Sequence, residues 1–159
     1  MAIAITLQQY LDKSGIEYNV LPHTHTETSL STAQTTRVPP EQIAKSVVLE
    51  DESGYLMAVI PANRHIDLGQ LSRQMQRRLG LATEDELAGL FRDCETGAIP
   101  PIGDAYQMEV VMDDSLEKCS DVYFEAGDHT DLIHVRGPVF LQLMQHARHG
   151  HFSRPFHHI

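Results

Sequence analysis

Residues 43–60 read IAKSVVLEDESGYLMAVI, which is two aliphatic runs on either side of a short acidic segment. The aliphatic and β-branched residues of 45–50 and 55–60 predict two strands. Residues 51–54, DESG, are typical of the turn that joins such strands. Because several predicted strands lie this close in sequence, we expect one mixed α/β domain whose sheet is at least partly antiparallel.

A lone lysine interrupts the first of these strands. In strand geometry Lys45 projects to the same face as Ile43, Val47 and Leu49. An unpaired buried cation is costly, so the ammonium needs a partner or a cavity. Two interpretations remain open: an edge-strand lysine whose head reaches water, or a fixed charge aimed at a carbonyl, carboxylate or phosphate.

The rest of the chain alternates between predicted helices and strands, without an internal repeat or a linker. Thr83 and Glu86 have the spacing of a helix-capping box, and Pro138 suits the first turn of a last helix. The single domain is expected to span 1–159, with 148–159 as a tail. The predicted helices are 7–14, 29–36, 67–78, 83–91 and 138–147, and the strands outside the hairpin are 17–21, 107–112, 122–125 and 132–135.

The segment 97–103, GAIPPIG, is unusually apolar for a turn. Glycine supplies unusual dihedrals and proline fixes φ, so an ordinary turn is one interpretation. The alternative is a rigid loop whose backbone N–H groups stabilise a developing oxyanion. Pro100 and Pro101 carry no N–H, so the donors would be Gly97, Ala98 and Ile99.

Composition excludes several classes of protein. A formal net charge of −10 disfavours indiscriminate binding to nucleic acid. No apolar run approaches membrane-spanning length, and no secretory signal is evident at the N-terminus. Cys94 and Cys119 lack close spacing, which fits a reduced compartment. We therefore expect a cytoplasmic protein without membrane contact.

Other chemistry-bearing residues have plain structural interpretations. Cys94 has no histidine placed by sequence to activate it, and Asp113 and Asp114 suit local capping. His129 is interpreted as a solvated hairpin-turn histidine. No His-Glu-x-x-His pattern and no cysteine partners are present, so we expect no metal site. The histidines considered as ligands are His23, His25, His146, His149, His151, His157 and His158.

Taken in order, residues 43–49, 59–68, 95–103, 111–116 and 125–128 resemble the YbaK/ProX family of aminoacyl-tRNA deacylases. Members are free-standing relatives of the editing domain inserted in bacterial prolyl-tRNA synthetases. The resemblance implies a YbaK-like α/β domain, with a mixed, largely antiparallel sheet or a partly closed barrel and surrounding helices. It also implies hydrolysis of mischarged tRNA without a cofactor. The implied partners are the acceptor end of aminoacyl-tRNA and a synthetase that could deliver it.

The resemblance also implies roles for individual residues. Lys45 matches the family's functional lysine, and Gly97 opens its glycine-xxx-proline loop, so both are expected to be catalytic. Pro100 stands where relatives commonly carry serine or threonine, and Ser46 where they often have threonine or asparagine. The implied substrate-binding residues are Ser46, Ala98, Ile99, Pro100, Pro101, Gly103, Gly127 and His129.

Three questions stay open at this point. Arg73, Arg77 and Arg78 are candidates for contacting tRNA, but a solvated helix face explains them equally well. No strong general base is evident, so water activation would depend on a ribose hydroxyl or amino group of the substrate. A non-catalytic tRNA- or synthetase-binding module of the same fold is the alternative function.

Overall fold

The predicted hairpin forms the centre of the largest sheet in a computed structural model, which describes residues 3–156. The helices are α1 (Ile5–Ser14), α2 (Ser29–Thr36), α3 (Leu68–Met75), α4 (Glu84–Leu90) and α5 (Gly137–Leu143). The strands are β1 (Asn19–Pro22), β2 (Ala44–Asp51), β3 (Gly54–Pro61), β4 (Arg64–Ile66), β5 (Gly80–Leu81), β6 (Glu109–Asp113), β7 (Asp121–Glu125), β8 (Asp131–Arg136), β9 (Arg148–Gly150) and β10 (Ser153–Pro155).

Local turn chemistry fixes the register of the hairpin. β2 and β3 pair antiparallel from Ala44 opposite Pro61 to Asp51 opposite Gly54. The Asp51 carboxylate accepts hydrogen bonds from the backbone N–H groups of Ser53, at 2.8 Å, and Gly54, at 3.2 Å. Gly54 has a φ of 135°, which glycine tolerates better than other residues. The sequence-based prediction of this hairpin is confirmed.

Three sheets make one compact α/β domain. The five-stranded sheet has the order β5-β2-β3-β6-β9, with parallel pairing of β3 to β6 and of β6 to β9. Antiparallel pairing builds a second sheet, β1-β8-β7, and the β10-β4 pair. The expected mixed, largely antiparallel architecture is confirmed. Within residues 3–156 the sheets do not form a fully closed barrel.

Side chains of β2 alternate between two hydrophobic clusters. Ala44 and Val48 pack in the larger cluster, which includes Phe124 and Phe140. Leu49 packs in a second cluster on the other face of the sheet. This alternation follows from the period of two along a strand, and it places the side chains of Lys45 and Ser46 on opposite faces of β2.

The expectation of a C-terminal tail is corrected for residues 148–156. β9 joins the edge of the main sheet beside β6, and β10 pairs with β4. Phe152, between them, is 0% exposed, and its N–H donates to the Asp113 carboxylate at 2.9 Å. Burial of such a side chain stabilises the fold by about 1.5–3 kcal/mol. β9 and β10 are too short to give a periodic pattern in the sequence. Two histidines considered as metal ligands, His157 and His158, lie outside the described residues.

The sequence predicted where helices begin more accurately than where they end. Thr83 and Glu86 form the predicted capping box, with reciprocal side-chain to backbone hydrogen bonds. Asp67 caps α3 as expected, but the helix ends before the predicted Arg78 because Gln76 turns left-handed, with a φ of 56°. α5 is also shorter than predicted, ending at Leu143. Among the described residues, no helix combines the length and apolar character needed to cross a bilayer.

Candidate functional site

A cavity of about 320 Å³ lies between β2, the loop that begins at Gly97 and the end of β7. The exposed residues at its mouth are Thr28, Leu30 and Gly97. The buried residues of its floor are Ala44, Val48, Ala62, Ile99 and Glu125. Half-buried Lys45 and Ser46 lie between mouth and floor. The cavity is large enough for a small amino acid attached through an ester.

Lys45 is a half-buried cation with no anionic partner within the described part of the chain. Its ammonium nitrogen lies 5.5 Å from the centre of the Phe156 ring, in a cation–π arrangement. Burial lowers the pKa of Lys45 below its ordinary value. Lys45 lines the cavity. By the alternation along β2, its side chain leaves the strand on the face opposite Ala44 and Val48 of the floor, so the strand pattern alone did not predict this position. A partly desolvated ammonium interacts strongly with a negative charge that forms nearby.

The loop is bonded to β2 and to the end of β7. The Ser46 hydroxyl donates to the Ile99 carbonyl at 2.9 Å. The backbone N–H of Glu95 donates to the Gly127 carbonyl at 2.8 Å. These two bonds fix the loop on both sides. Gly127 therefore positions the loop and does not line the cavity.

One of the three predicted backbone donors is already used. The N–H of Ala98 donates to the Glu95 carbonyl at 3.1 Å, so it closes a turn. The N–H groups of Gly97 and Ile99 have no acceptor among residues 3–156, and both residues line the cavity. Ala98 is therefore removed from the expected oxyanion donors, while Gly97 and Ile99 stay predictions.

His129 lies against the loop. It is only 6% exposed and has a φ of 60°. Its ring centre lies 5.1 Å from that of His25. The interpretation of His129 as a solvated turn residue was wrong, because the loop at Gly97 covers it. His129 supports the loop from behind and is not part of the cavity wall.

Gly97 is a position where a side chain should impair the site. Its φ is 91°, and an added Cβ would lie 3.0 Å from Cε1 of His129. If the site has the hydrolytic activity that the sequence resemblance implies, we expect Gly97→Ala to reduce it roughly 10- to 100-fold, because about 1–3 kcal/mol of strain would displace the N–H donors. The measurement is kcat/KM on the aminoacyl-tRNA that the resemblance implies as substrate. Gly89→Ala, on α4 with nothing within 4 Å of the added Cβ, is the matched control. Equal activity of the two variants would contradict a role for the loop geometry.

Sequence reasoning missed the carboxylate in the cavity floor. Glu125, the last residue of β7, is 6% exposed and lines the cavity. One of its carboxyl oxygens accepts from the Thr32 hydroxyl at 2.9 Å, and the other has no partner among residues 3–156. Burial raises the pKa of Glu125 to about 7, and the charges of Asp128 and Asp131 also raise it. A charged residue at a strand end is ordinary in sequence, so no local pattern indicates its burial.

His23 lies beside Glu125. Its side chain is 2% exposed, and Nε2 is 3.9 Å from the free carboxyl oxygen, which is too long for a hydrogen bond. Nδ1 lies 2.6 Å from the Thr24 carbonyl. Because a carbonyl only accepts, Nδ1 carries a proton there, and in the neutral ring Nε2 offers a lone pair. At 3.9 Å, His23 therefore makes no hydrogen bond to the Glu125 carboxyl.

Several residues expected to bind substrate lie away from the cavity wall. Ala98, Pro100 and Pro101 are buried in the loop. Gly103 is a packing residue, since an added Cβ would clash with the Val110 side chain. Of the implied substrate-binding residues, the structure brings only Ser46 and Ile99 to the cavity, beside Lys45 and Gly97.

The three candidate arginines have different environments. Arg77 forms a two-bond ion pair with Asp51, at 2.7 and 2.8 Å, and also contacts Glu109 at 3.2 Å. The Asp51 pair raises the pKa of Arg77. Arg77 is therefore a structural residue within the protein, contrary to its expected contact with tRNA. Arg73 and Arg78 are exposed.

The remaining candidates do not add to the cavity. Burial raises the pKa of the Cys94 thiol to about 12, so it is not an activated nucleophile. The Asp113 carboxylate accepts from the N–H groups of Ser115 and Phe152, as capping predicted. One exposed cluster, Asp114, Glu117 and His149, could hold a cation, but it lies outside the cavity wall.

Comparison with known proteins identifies the family. The sequence profile of the aminoacyl-tRNA editing domain matches residues 23–143, most of the chain. The protein belongs to this family. No curated protein sequence matches the chain.

Solved structures agree on the fold of this editing domain. A candidate trans-editing enzyme for prolyl tRNA synthetase is 24% identical with a TM-score of 0.83, over 95% of this chain and 96% of the other. The hypothetical protein APE2540 is 19% identical with a TM-score of 0.82, over 94% and 99%. A candidate signal transduction protein from Marinobacter aquaeolei VT8 is 17% identical with a TM-score of 0.76, over 96% of this chain and 31% of that one. At these identities the likeness establishes the YbaK-like fold alone.

Proposed function

We propose that this editing domain is a trans-editing hydrolase that removes the amino acid from mischarged aminoacyl-tRNA. The observation that carries the proposal is that Lys45, Gly97 and Ile99 line one cavity, and that the N–H groups of Gly97 and Ile99 have no acceptor among residues 3–156. The family supports the substrate, which is an amino acid joined by an ester to the terminal ribose of tRNA. Such a role would act on the substrates of cytoplasmic translation and maintain its fidelity.

The proposed reaction is ester hydrolysis. A water oxygen bonds to the carbonyl carbon, and the bond between that carbon and the ribose oxygen breaks. The ribose hydroxyl regains a proton, and the free amino acid leaves as its carboxylate. The N–H groups of Gly97 and Ile99 would hold the carbonyl oxygen as it becomes negative, and Lys45 would add a positive charge nearby.

Positioning and electrostatics would supply most of the rate. Donors held in fixed positions need no reorganisation when the oxyanion forms. The buried floor of the cavity limits the bulk water that would compete for hydrogen bonds to the oxyanion. Water activation is assigned to a hydroxyl or amino group of the substrate. The exposed Arg73 and Arg78 are proposed to contact the acceptor stem, while a synthetase that delivers the tRNA is a further proposed partner.

A panel of mischarged tRNAs tests the proposal. Each tRNA is incubated with a catalytic amount of the protein, and the remaining ester is measured over time, with and without a chelator. We expect multiple-turnover loss of at least one ester, unchanged by the chelator. Binding of tRNA without loss of any ester would support the non-catalytic module instead. Activity abolished by the chelator would indicate a metal-dependent hydrolase.

A further inference from the structure

Glu125 stands out among the residues of the cavity. It is the only carboxylate that lines the cavity in the described part of the chain. The other floor residues, Ala44, Val48, Ala62 and Ile99, are aliphatic. A buried carboxyl in such surroundings is costly unless its oxygens are hydrogen-bonded.

The carboxyl of Glu125 is only partly satisfied by the protein. A carboxylate offers about four acceptor sites. Of the described residues, Thr32 supplies one hydrogen bond, at 2.9 Å, and the second oxygen has none. His23 comes to 3.9 Å but offers no short hydrogen bond. Lys45 lines the same cavity yet forms no ion pair with Glu125. The free oxygen is itself buried, so a ligand donor would reach the carboxyl from the cavity that Glu125 lines.

The depth of Glu125 indicates which part of the substrate would meet it. The tRNA remains outside, so the ester lies toward the mouth, near exposed Gly97 and half-buried Lys45. The α-carbon follows one bond further in, and the amino-acid side chain extends toward the floor. Glu125, at 6% exposure, belongs to that floor.

We propose that Glu125 is a specificity-determining residue that accepts a hydrogen bond from the side chain of the bound amino acid. The inference rests on the proposed function. The selected esters carry a side-chain hydroxyl or amine, such as serine, threonine or lysine. An aliphatic side chain of the same size would enclose the unsatisfied carboxyl without a donor, and that loss disfavours it.

The test uses isosteric pairs on one tRNA. The same tRNA is charged with threonine or valine, with serine or alanine, and with lysine, and kcat/KM is measured for each ester. Threonine and valine have nearly the same shape, so their ratio isolates the hydroxyl group. We expect threonine to exceed valine by about 100-fold or more, since a site built to bind a substrate hydroxyl rejects an analogue without it by up to about 10⁴- to 10⁵-fold. If lysine alone exceeds valine to that extent, the donor is an amine.

Two variants separate specificity from catalysis. Glu125→Met keeps the length of the side chain without a carboxyl, and we expect it to bring the kcat/KM values of donor and aliphatic esters within about threefold of each other. Glu125→Gln keeps one carbonyl acceptor and should retain part of the preference. An equal loss on every ester would overturn the inference and make Glu125 a general base.

Failure of this inference can be told apart from failure of the proposed function. If valine and threonine esters are hydrolysed equally by the wild type, Glu125 does not select and the inference fails alone. If no ester is hydrolysed, the proposed function fails. Selection is then measured by binding of 3′-amide analogues of threonyl- and valyl-adenosine, which need no turnover. Equal affinities would overturn the inference.

Discussion

Lys45→Met is expected to lower kcat/KM for the hydrolysed ester by about 100- to 1000-fold, the scale on which single stabilising groups of an oxyanion contribute. Methionine keeps an unbranched stem of similar length, so the packing along β2 changes little. The removed charge is partly desolvated and makes no ion pair within residues 3–156. Thermal stability should therefore be nearly unchanged, which separates lost catalysis from lost folding.

Lys13 provides a matched control for this substitution. It is exposed in the last turn of α1 and does not line the cavity. Lys13→Met removes the same charge from the protein, and its activity should match the wild type. If kcat/KM of Lys45→Met fell by less than tenfold, and that of Lys13→Met fell by a similar factor, Lys45 would have no role in the mechanism.

Glu125→Gln is expected to stabilise the protein in a pH-dependent way. The folded-state pKa of Glu125 is about 7, against 4.5 ordinarily, because burial disfavours the charged form. Well below pH 4.5 the carboxyl is protonated in both the folded and the unfolded state, so it does not change the free energy of unfolding with pH. As pH rises toward 7 the unfolded chain ionises first, and the wild type loses stability. Above pH 7 the loss is constant.

The size of this effect follows from the shift in pKa. Between pH 5 and pH 8, the free energy of unfolding of Glu125→Gln should rise relative to the wild type by about 2–3 kcal/mol. Urea unfolding at both pH values measures it. The titratable groups facing Glu125 are His23, Asp128, Asp131 and Lys45, and all remain in the variant.

An exposed glutamate supplies the control for the pH experiment. Glu52 lies in the turn between β2 and β3 and is exposed. Glu52→Gln should show a difference from the wild type that does not change with pH. The same flat result for Glu125→Gln would mean that the carboxyl is solvated or paired with a cation, which contradicts the described floor.

The sequence predicted those parts of the structure that depend on nearby residues. The β2–β3 hairpin follows from alternation around a DESG turn, and α4 begins where Thr83 and Glu86 form their capping box. In contrast, β9 and β10 have three residues each, too few for a period to be seen. Their positions depend on burial of Phe152 against distant elements.

The candidate site was predictable to a similar degree. Lys45 and the Gly97 loop stood out because a cation in an apolar strand and an apolar glycine-proline loop are both unusual. Glu125 did not, since its burial depends on Thr32, 93 positions away, and on His23. His129 was misread for the same reason, because the loop that covers it is distant in sequence.

The most direct test of the site is a structure with an aminoacyl-adenosine analogue in which an amide replaces the ester. We expect the carbonyl oxygen within about 3 Å of the Gly97 or Ile99 backbone nitrogen, and the Lys45 ammonium beside it. A second cavity of about 320 Å³ lies elsewhere, lined in part by Asn63, Arg64 and Lys118. An analogue whose aminoacyl group binds in that second cavity, and leaves the Gly97 loop unoccupied, would contradict the proposed site.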